Sequence, residues 1–149
     1  SMTGRYFDGV VPEPGTLGDT DTRLLESRET ALAEVAEQLD GVRLRGGLAR
    51  AMQIAGDANA YLNDLAPWST AKTDMERTGT TLWVAHQLIA TAAVAFAPYL
   101  PATSIEVLGA QGVASPDAGP SWEVPTVSGG TVLGELGPLF AKVELDTGE

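Results

Sequence analysis

Over residues 20–109 the apolar positions recur at the three- and four-residue intervals of amphipathic helices, and beyond that point they do not. Leu25, Leu32, Val35 and Leu39 form one stripe of a helix that runs to about Leu39. Thr20 and Asp21 are its candidate N-caps, and Gly41 ends it. A second stripe (Leu48, Met52, Ala55, Asn59 and Leu62, with Ala51, Ala58 and Leu65 beside it) predicts a helix over residues 45–65. Gly46 and Gly47 weaken its first turn, each by about 1 kcal/mol relative to alanine. Pro67 stops it, because a proline ring pushes the preceding residue out of the helical region. The loop over residues 66–74 then carries a large aromatic, Trp68, that no helical stripe requires.

A third helix is predicted over residues 78–97. Residues 78–105 carry no charge, which raises the possibility of a membrane span. Such a span wants about 20 strongly apolar residues. Here the apolar character is mostly alanine, interrupted by His86, Gln87 and Thr91, and Pro98 cuts the run short. A helix at the centre of a bundle fits better, and no membrane partner is expected. Pro101 and Gly109 start and stop a short fourth helix carrying Ile105 and Leu108. From Gly109 onward there are eight glycines and four prolines, too many for helices. Trp122 and the run Pro138-Leu139-Phe140-Ala141-Lys142-Val143-Glu144 are its apolar anchors. The predicted fold is therefore all-α, a helical bundle over residues 1–109 with an extended Gly/Pro-rich tail over 110–149. That tail is expected to pack on the bundle or on a neighbouring domain. Before Thr20 the chain is rich in breakers, and Phe7-Asp8-Gly9 reads as the stop of a helix that begins earlier.

Composition narrows the chemistry. The chain has 149 residues, enough for one domain or one piece of a larger protein, and 44% of them are hydrophobic, enough for a core. With no cysteine and a single histidine, disulfides, thiolate zinc sites and imidazole metal clusters are excluded. His86 lies mid-helix beside Leu82, Trp83 and Ile89 and reads as a buried, hydrogen-bonded histidine. Ser69 lacks a nucleophile elbow, and no glycine-rich loop resembles a phosphate cradle. The carboxylates Asp57, Asp64 and Asp74 show no spacing that singles out an acid/base pair. No catalytic residue, metal site or cofactor is expected within these residues. No basic apolar leader opens the chain, so a cytoplasmic location is expected. The net charge of −11 argues against a nucleic-acid partner, but charge is uneven. Six of the nine bases lie in residues 1–50, with Arg43, Arg45 and Arg50 clustered, either as a basic patch or as a solvated helix face.

One stretch is more specific. Asp57-Ala58-Asn59-Ala60-Tyr61-Leu62-Asn63-Asp64-Leu65-Ala66-Pro67-Trp68 resembles the anticodon-binding domain of methionyl-tRNA synthetases. There an Asn-x-Tyr on a helix and an acidic turn are followed by Ala-Pro-Trp and soon by a lysine, here Lys72. Phe96-Ala97-Pro98-Tyr99-Leu100-Pro101 resembles the helix junction that follows in the family, with Ile105 and Leu108-Gly109 on its short next helix. Tyr6-Phe7-Asp8-Gly9 is similar to the close of the domain's first helix. Pro138-Leu139-Phe140-Ala141-Lys142-Val143-Glu144 is similar to the family's ending, which favours methionine over related class I synthetases for other aliphatic amino acids.

The resemblance implies that Trp68 lies at the anticodon loop of tRNA(Met) and helps recognise its first base, a cytosine. An unpaired base exposes a π face on which an indole can stack. The competing role for Trp68 is a hydrophobic plug on the bundle. Asn59 is the second anticodon candidate, with a structural hydrogen bond to the neighbouring loop as its competing role. Tyr61 is expected to pack, and Trp83 and Trp122 to anchor core and tail. The family's ATP-site signatures are absent from these residues. The resemblance thus implies a parent enzyme that ligates methionine to tRNA(Met) with ATP and magnesium in a separate catalytic domain, which this domain would contact. The asparagine and arginine that read the anticodon from the family's first helix would precede Ser1, leaving that helix truncated, and nothing beyond Glu144 suggests a dimerisation appendix, so a monomer is expected. The rival reading is an acidic helical module that docks a protein partner. A third is the equivalent domain of a related class I synthetase.

Overall fold

The computed structural model describes Phe7, residues 9–111 and residues 124–133. Among the described residues from 19 to 110, five helices follow one another: α1 (Asp19–Asp40), α2 (Leu44–Leu65), the single turn α3 (Pro67–Thr70), α4 (Met75–Phe96) and α5 (Pro101–Ala110). The helical bundle predicted from periodicity is present, with boundaries shifted at several ends.

α1 begins two residues earlier than expected. Its N-cap is Gly18, and Asp21 sits at the third helical position. The Asp21 carboxylate accepts the Gly18 N–H at 2.8 Å, half of a capping box whose other half a glycine has no side chain to supply. Thr20 and Asp21 are thus inside the helix rather than its caps. The α1 face that enters the core carries Ala31, Leu32 and Val35.

α2 buries Gly47, Ala51, Ile54, Ala58 and Tyr61. This stripe lies one residue round from the predicted one, and Met52, expected inside, is 58% exposed. Alanine-rich helices give little size contrast between faces, so the side with a large aromatic and a close neighbour decides. At Gly47 a Cβ would run into the Tyr99 hydroxyl, which donates to the Leu44 carbonyl at 2.7 Å. The glycine that weakens the helix locally is what lets the chain after α4 approach it.

α4 starts at Met75, a turn before the sequence suggested, because the Asp74 side chain caps it by accepting the Arg77 N–H at 3.0 Å. It is the central helix, with fifteen of its residues buried. By length and composition it could cross a membrane, yet 78% of its apolar window is covered by the other elements, as a core helix would be. Its buried threonines satisfy themselves on their own helix. Thr78, Thr80 and Thr91 donate to the carbonyls of Asp74, Glu76 and Gln87 at 3.0, 3.1 and 2.8 Å. His86 is partly buried in the same helix, and the Gln111 amide lies 3.2 Å from its Nδ1.

Part of the tail is held by the bundle. The Gln87 side chain, fully buried, donates to the Val127 carbonyl at 2.7 Å and accepts the Val127 N–H at 2.8 Å. A side-chain amide thereby acts as a strand edge for one residue of extended chain. Arg28 adds a bond to the Pro125 carbonyl at 3.0 Å. The next residues pair antiparallel with the N-terminal segment: Val11 N–H donates to Thr131 O at 2.8 Å, and Leu133 N–H to Gly9 O at 2.8 Å. Of the proposed tail anchors, Trp122, Leu139 and Phe140 lie outside the described residues, as does the 138–144 motif.

Candidate nucleic-acid interface

α2 ends at Ala66, whose φ of 47° and ψ of 64° place it in the left-handed region. An alanine there is strained by roughly 1–2 kcal/mol, and such strain persists only where the surroundings enforce it. Ala66 N–H closes α2 on Leu62 O at 2.9 Å, and Ala66 O accepts from Ser69 and Thr70 at 2.8 and 3.1 Å. The chain therefore leaves one helix and starts another within a single residue. Pro67 takes the first position of α3, where its missing N–H is not needed, and its ring is buried. Trp68 follows, about 100° round the turn, and is 45% exposed. At this corner Pro67 is the covered residue and Trp68 the partly exposed one.

The corner is tied to the start of α4 by one side-chain and one backbone bond. Thr70 and Thr78 share a hydroxyl–hydroxyl bond of 2.5 Å, and Asp74 N–H donates to Thr70 O at 2.6 Å. Deeper in, three helices meet at a charged group. Asp21 of α1 is 1% exposed. The Arg77 fork from α4 grips its two oxygens at 2.8 and 2.9 Å, and the Tyr61 hydroxyl from α2 donates to it at 2.5 Å. Arg77 also reaches the Tyr61 oxygen at 3.1 Å and Thr81 at 3.2 Å. Burial by itself would raise the Asp21 carboxyl, but the bonds from Arg77, Tyr61 and the Gly18 N–H outweigh it and hold the group below its ordinary range. Burial, and then the bond to Asp21, push the Tyr61 phenol well above its ordinary value, so it stays a donor. Tyr61 packs, as its place in the sequence suggested. The sequence marks Asp21 only as a candidate cap and does not mark Arg77, because the two are 56 residues apart.

The other candidates are placed as follows. Asn59 is half-buried on α2, six residues before Leu65 and so about 9 Å back along the axis. Trp83 is partly buried between the two apolar clusters of the core. Lys72 is exposed just past α3. The early arginines are not near Trp68. Arg43 and Arg45 flank the start of α2, whose 22 residues put them about 33 Å from its end. Arg43 is bonded to Gln38 at 2.8 Å, and Arg50 to Glu34 at 3.0 Å across a shallow polar groove between α1 and α2. Of these bases, only Lys72 is close to Trp68 along the chain. Among the described residues no three of His, Cys, Asp and Glu come together to hold a metal ion.

Residues 11–147 match the family described as the anticodon-binding domain of methionyl tRNA ligase. Among curated proteins, the methionine–tRNA ligase of Porphyromonas gingivalis is 37% identical over 147 residues, 96% of this chain and 21% of that protein. The methionine–tRNA ligase of Roseiflexus is 42% identical over 119 residues, 78% of this chain and 20% of that protein. The chain thus spans about a fifth of the length of these relatives. Among solved structures, the free form of Mycobacterium tuberculosis methionyl-tRNA synthetase superposes with a TM-score of 0.82 at 28% identity, covering 92% of this chain and 28% of that one. The same enzyme in complex with methionyl-adenylate superposes with a TM-score of 0.78 at 28% identity, over 91% of this chain and 28% of that one.

Proposed function

The chain belongs to the family of anticodon-binding domains of methionyl-tRNA ligases, and from that premise we propose that it reads the anticodon loop of tRNA(Met) for an enzyme that ligates methionine to that tRNA with ATP. The observation that carries this reading is Trp68, a half-exposed indole held on a one-turn helix by the buried Pro67. With the backbone fixed, a base that stacks on the indole has only the ring's two side-chain torsions left to order, so little of the stacking energy is lost to entropy. In this reading the first anticodon base, a cytosine, lies on that ring. Asn59 supports the end of α2 or contacts a neighbouring nucleotide.

The parent enzyme's ATP, magnesium and methionine sites belong to a catalytic domain outside these residues, and this domain contributes no cofactor. We place the enzyme in the cytoplasm as a monomer, where its tRNA is charged for protein synthesis. Its acidity fits a division of labour: phosphate contacts, which favour basic surfaces, fall to other parts of the enzyme, and this domain inspects a few bases. The acidic interaction-module reading accounts for the charge but not for a family match running from residue 11 to residue 147. The relatives named above are methionine enzymes, which disfavours the equivalent domain of another class I synthetase.

Base–aromatic stacking contributes about 1–3 kcal/mol. Trp68→Ala in the parent enzyme is therefore expected to lower kcat/KM for aminoacylation of tRNA(Met) at least about tenfold. Methionine-dependent pyrophosphate exchange should stay at the wild-type level, and Tm should change little. An unchanged kcat/KM, or a fall in exchange activity and Tm together with it, would count against this assignment.

A further inference from the structure

The strained corner that carries Trp68 has two legs, the last turns of α2 and the first turn of α4. Nothing within α3 is long enough to fix their separation, since it is a single turn of four residues. The two legs also pack directly through Tyr61, Leu65, Trp83, Val84 and Leu88, and one charged group bonds to both. Asp21, on the first turn of α1, binds Tyr61 of the α2 leg and Arg77 of the α4 leg, and these two also bind each other at 3.1 Å. Tyr61 lies one turn before Leu65, and Arg77 lies three residues after Asp74, so the network straddles the corner from below. The left-handed Ala66 needs such an external constraint. A nearly inaccessible carboxylate is a poor choice for stability alone, because a well-packed apolar trio often serves as well. What a closed set of directional bonds adds is a defined geometry.

We propose that the Asp21–Tyr61–Arg77 network is the positioning device for Trp68, setting the orientation in which α3 presents the indole. These are positioning residues: none is required to touch the RNA. The inference rests on the reading of Trp68 given above, and the test separates the two. The chain is labelled with 5-fluorotryptophan, and the Trp68 fluorine signal is assigned by its loss in Trp68→Phe. The signal of Trp83, set in the core, reports on global packing. Binding of the parent enzyme carrying each substitution is measured to RNA hairpins bearing the tRNA(Met) anticodon loop with cytosine or with uracil at the first anticodon position. Tyr61→Phe removes one hydroxyl and leaves the ring, and Arg77→Lys keeps the charge but loses the fork. Val35→Ala, in the core and away from the network, is the destabilised control.

The expected result is that the network variants shift or broaden the Trp68 signal and leave that of Trp83 in place. Their preference for the cytosine hairpin should fall at least about threefold, the scale of one lost hydrogen bond, while Val35→Ala keeps both the signal and the preference. If Tyr61→Phe does not fold, Arg77→Lys decides. Network variants that keep both the wild-type Trp68 signal and the wild-type preference would overturn the proposal. If the wild-type parent enzyme itself shows no preference, the anticodon reading fails, and the fluorine signal alone decides. Movement of Trp68 in the network variants but not in Val35→Ala upholds the positioning role, and no movement ends it.

Discussion

Among the described residues, His86 through its burial and Asp21 through the bonds to its carboxylate make the fold sensitive to acid, and they act over different ranges of pH. His86 is pushed down to about 4 by burial, against about 6.5 for an unfolded histidine. Below about pH 6.5 the unfolded chain binds a proton that the folded chain refuses, so stability falls as pH drops from there toward 4. Asp21 works lower. Its folded value is depressed, so its contribution is present above the unfolded value of about 3.9 and is lost as pH falls through the folded one. Urea unfolding across pH 4–7 should therefore show a decline that begins near pH 6.5, and His86→Gln should flatten it down to about pH 4. A His86→Gln chain with the wild-type slope would mean that the imidazole is not the group refusing the proton. Single residues were unevenly legible. A lone histidine amid Leu82, Trp83 and Ile89 reads as buried without a structure. Asp21 does not, because an acid in a first helical turn has a sufficient local explanation as a cap, and its partner Arg77 lies 56 residues on.

Among the elements, helix existence followed from periodicity, and helix faces followed less well. α1 shows its core side through Leu32 and Val35, which stand out against the charges around them. On α2 small residues occupy several faces, so the stripe through Leu48 and Met52 looked as good as the buried one through Ala51, Ile54, Ala58 and Tyr61. The deciding contacts, Tyr61 to Asp21 and Gly47 to Tyr99, are long-range. The corner at residues 66–70 was legible as a break, since Pro67 forbids an ordinary helix before it. Its recovery into a new turn depends on the left-handed Ala66, which no propensity favours. Gln87 was read only as an interruption in an apolar helix, yet it holds one residue of the tail by both backbone groups. Leaving a buried backbone group unpaired costs about 1–3 kcal/mol. Gln87→Leu should therefore speed Val127 amide exchange at least about tenfold, the equivalent of about 1.4 kcal/mol, while amides in mid-α4 keep their protection. Equal acceleration in both places would mean that the variant loosens the whole bundle and that the amide is no specific clasp.

For the molecule as a whole, charge and function point in opposite directions, and geometry reconciles them. The chain carries −11, and its exposed arginines at the start of α2 lie about 33 Å from the corner with Trp68. Net charge alone would have excluded RNA. It fails as a criterion because it is a sum, whereas recognition of one unpaired base needs one well-held aromatic face. The ordered motif matches were the part of the sequence that outweighed it. Two of them, at residues 66–68 and 96–101, mark helix junctions, where few residue types are tolerated. The pairing of residues 9–11 with 130–133 had no such marker, since extended segments of this kind have no periodicity of their own.

The central claim is that Trp68 reads the first anticodon base, and a cycle that changes protein and RNA together tests it most directly. kcat/KM for aminoacylation is measured for the wild-type parent enzyme and Trp68→Ala, each with tRNA(Met) and with a tRNA(Met) whose first anticodon cytosine is replaced by uracil. If the indole stacks on that cytosine, the two changes remove the same interaction. The defect of Trp68→Ala, at least about tenfold on the cognate tRNA, should then shrink toward unity on the altered one, a coupling of at least about 1 kcal/mol. Two defects that simply multiply would show that Trp68 and the first base act independently, and would contradict the account.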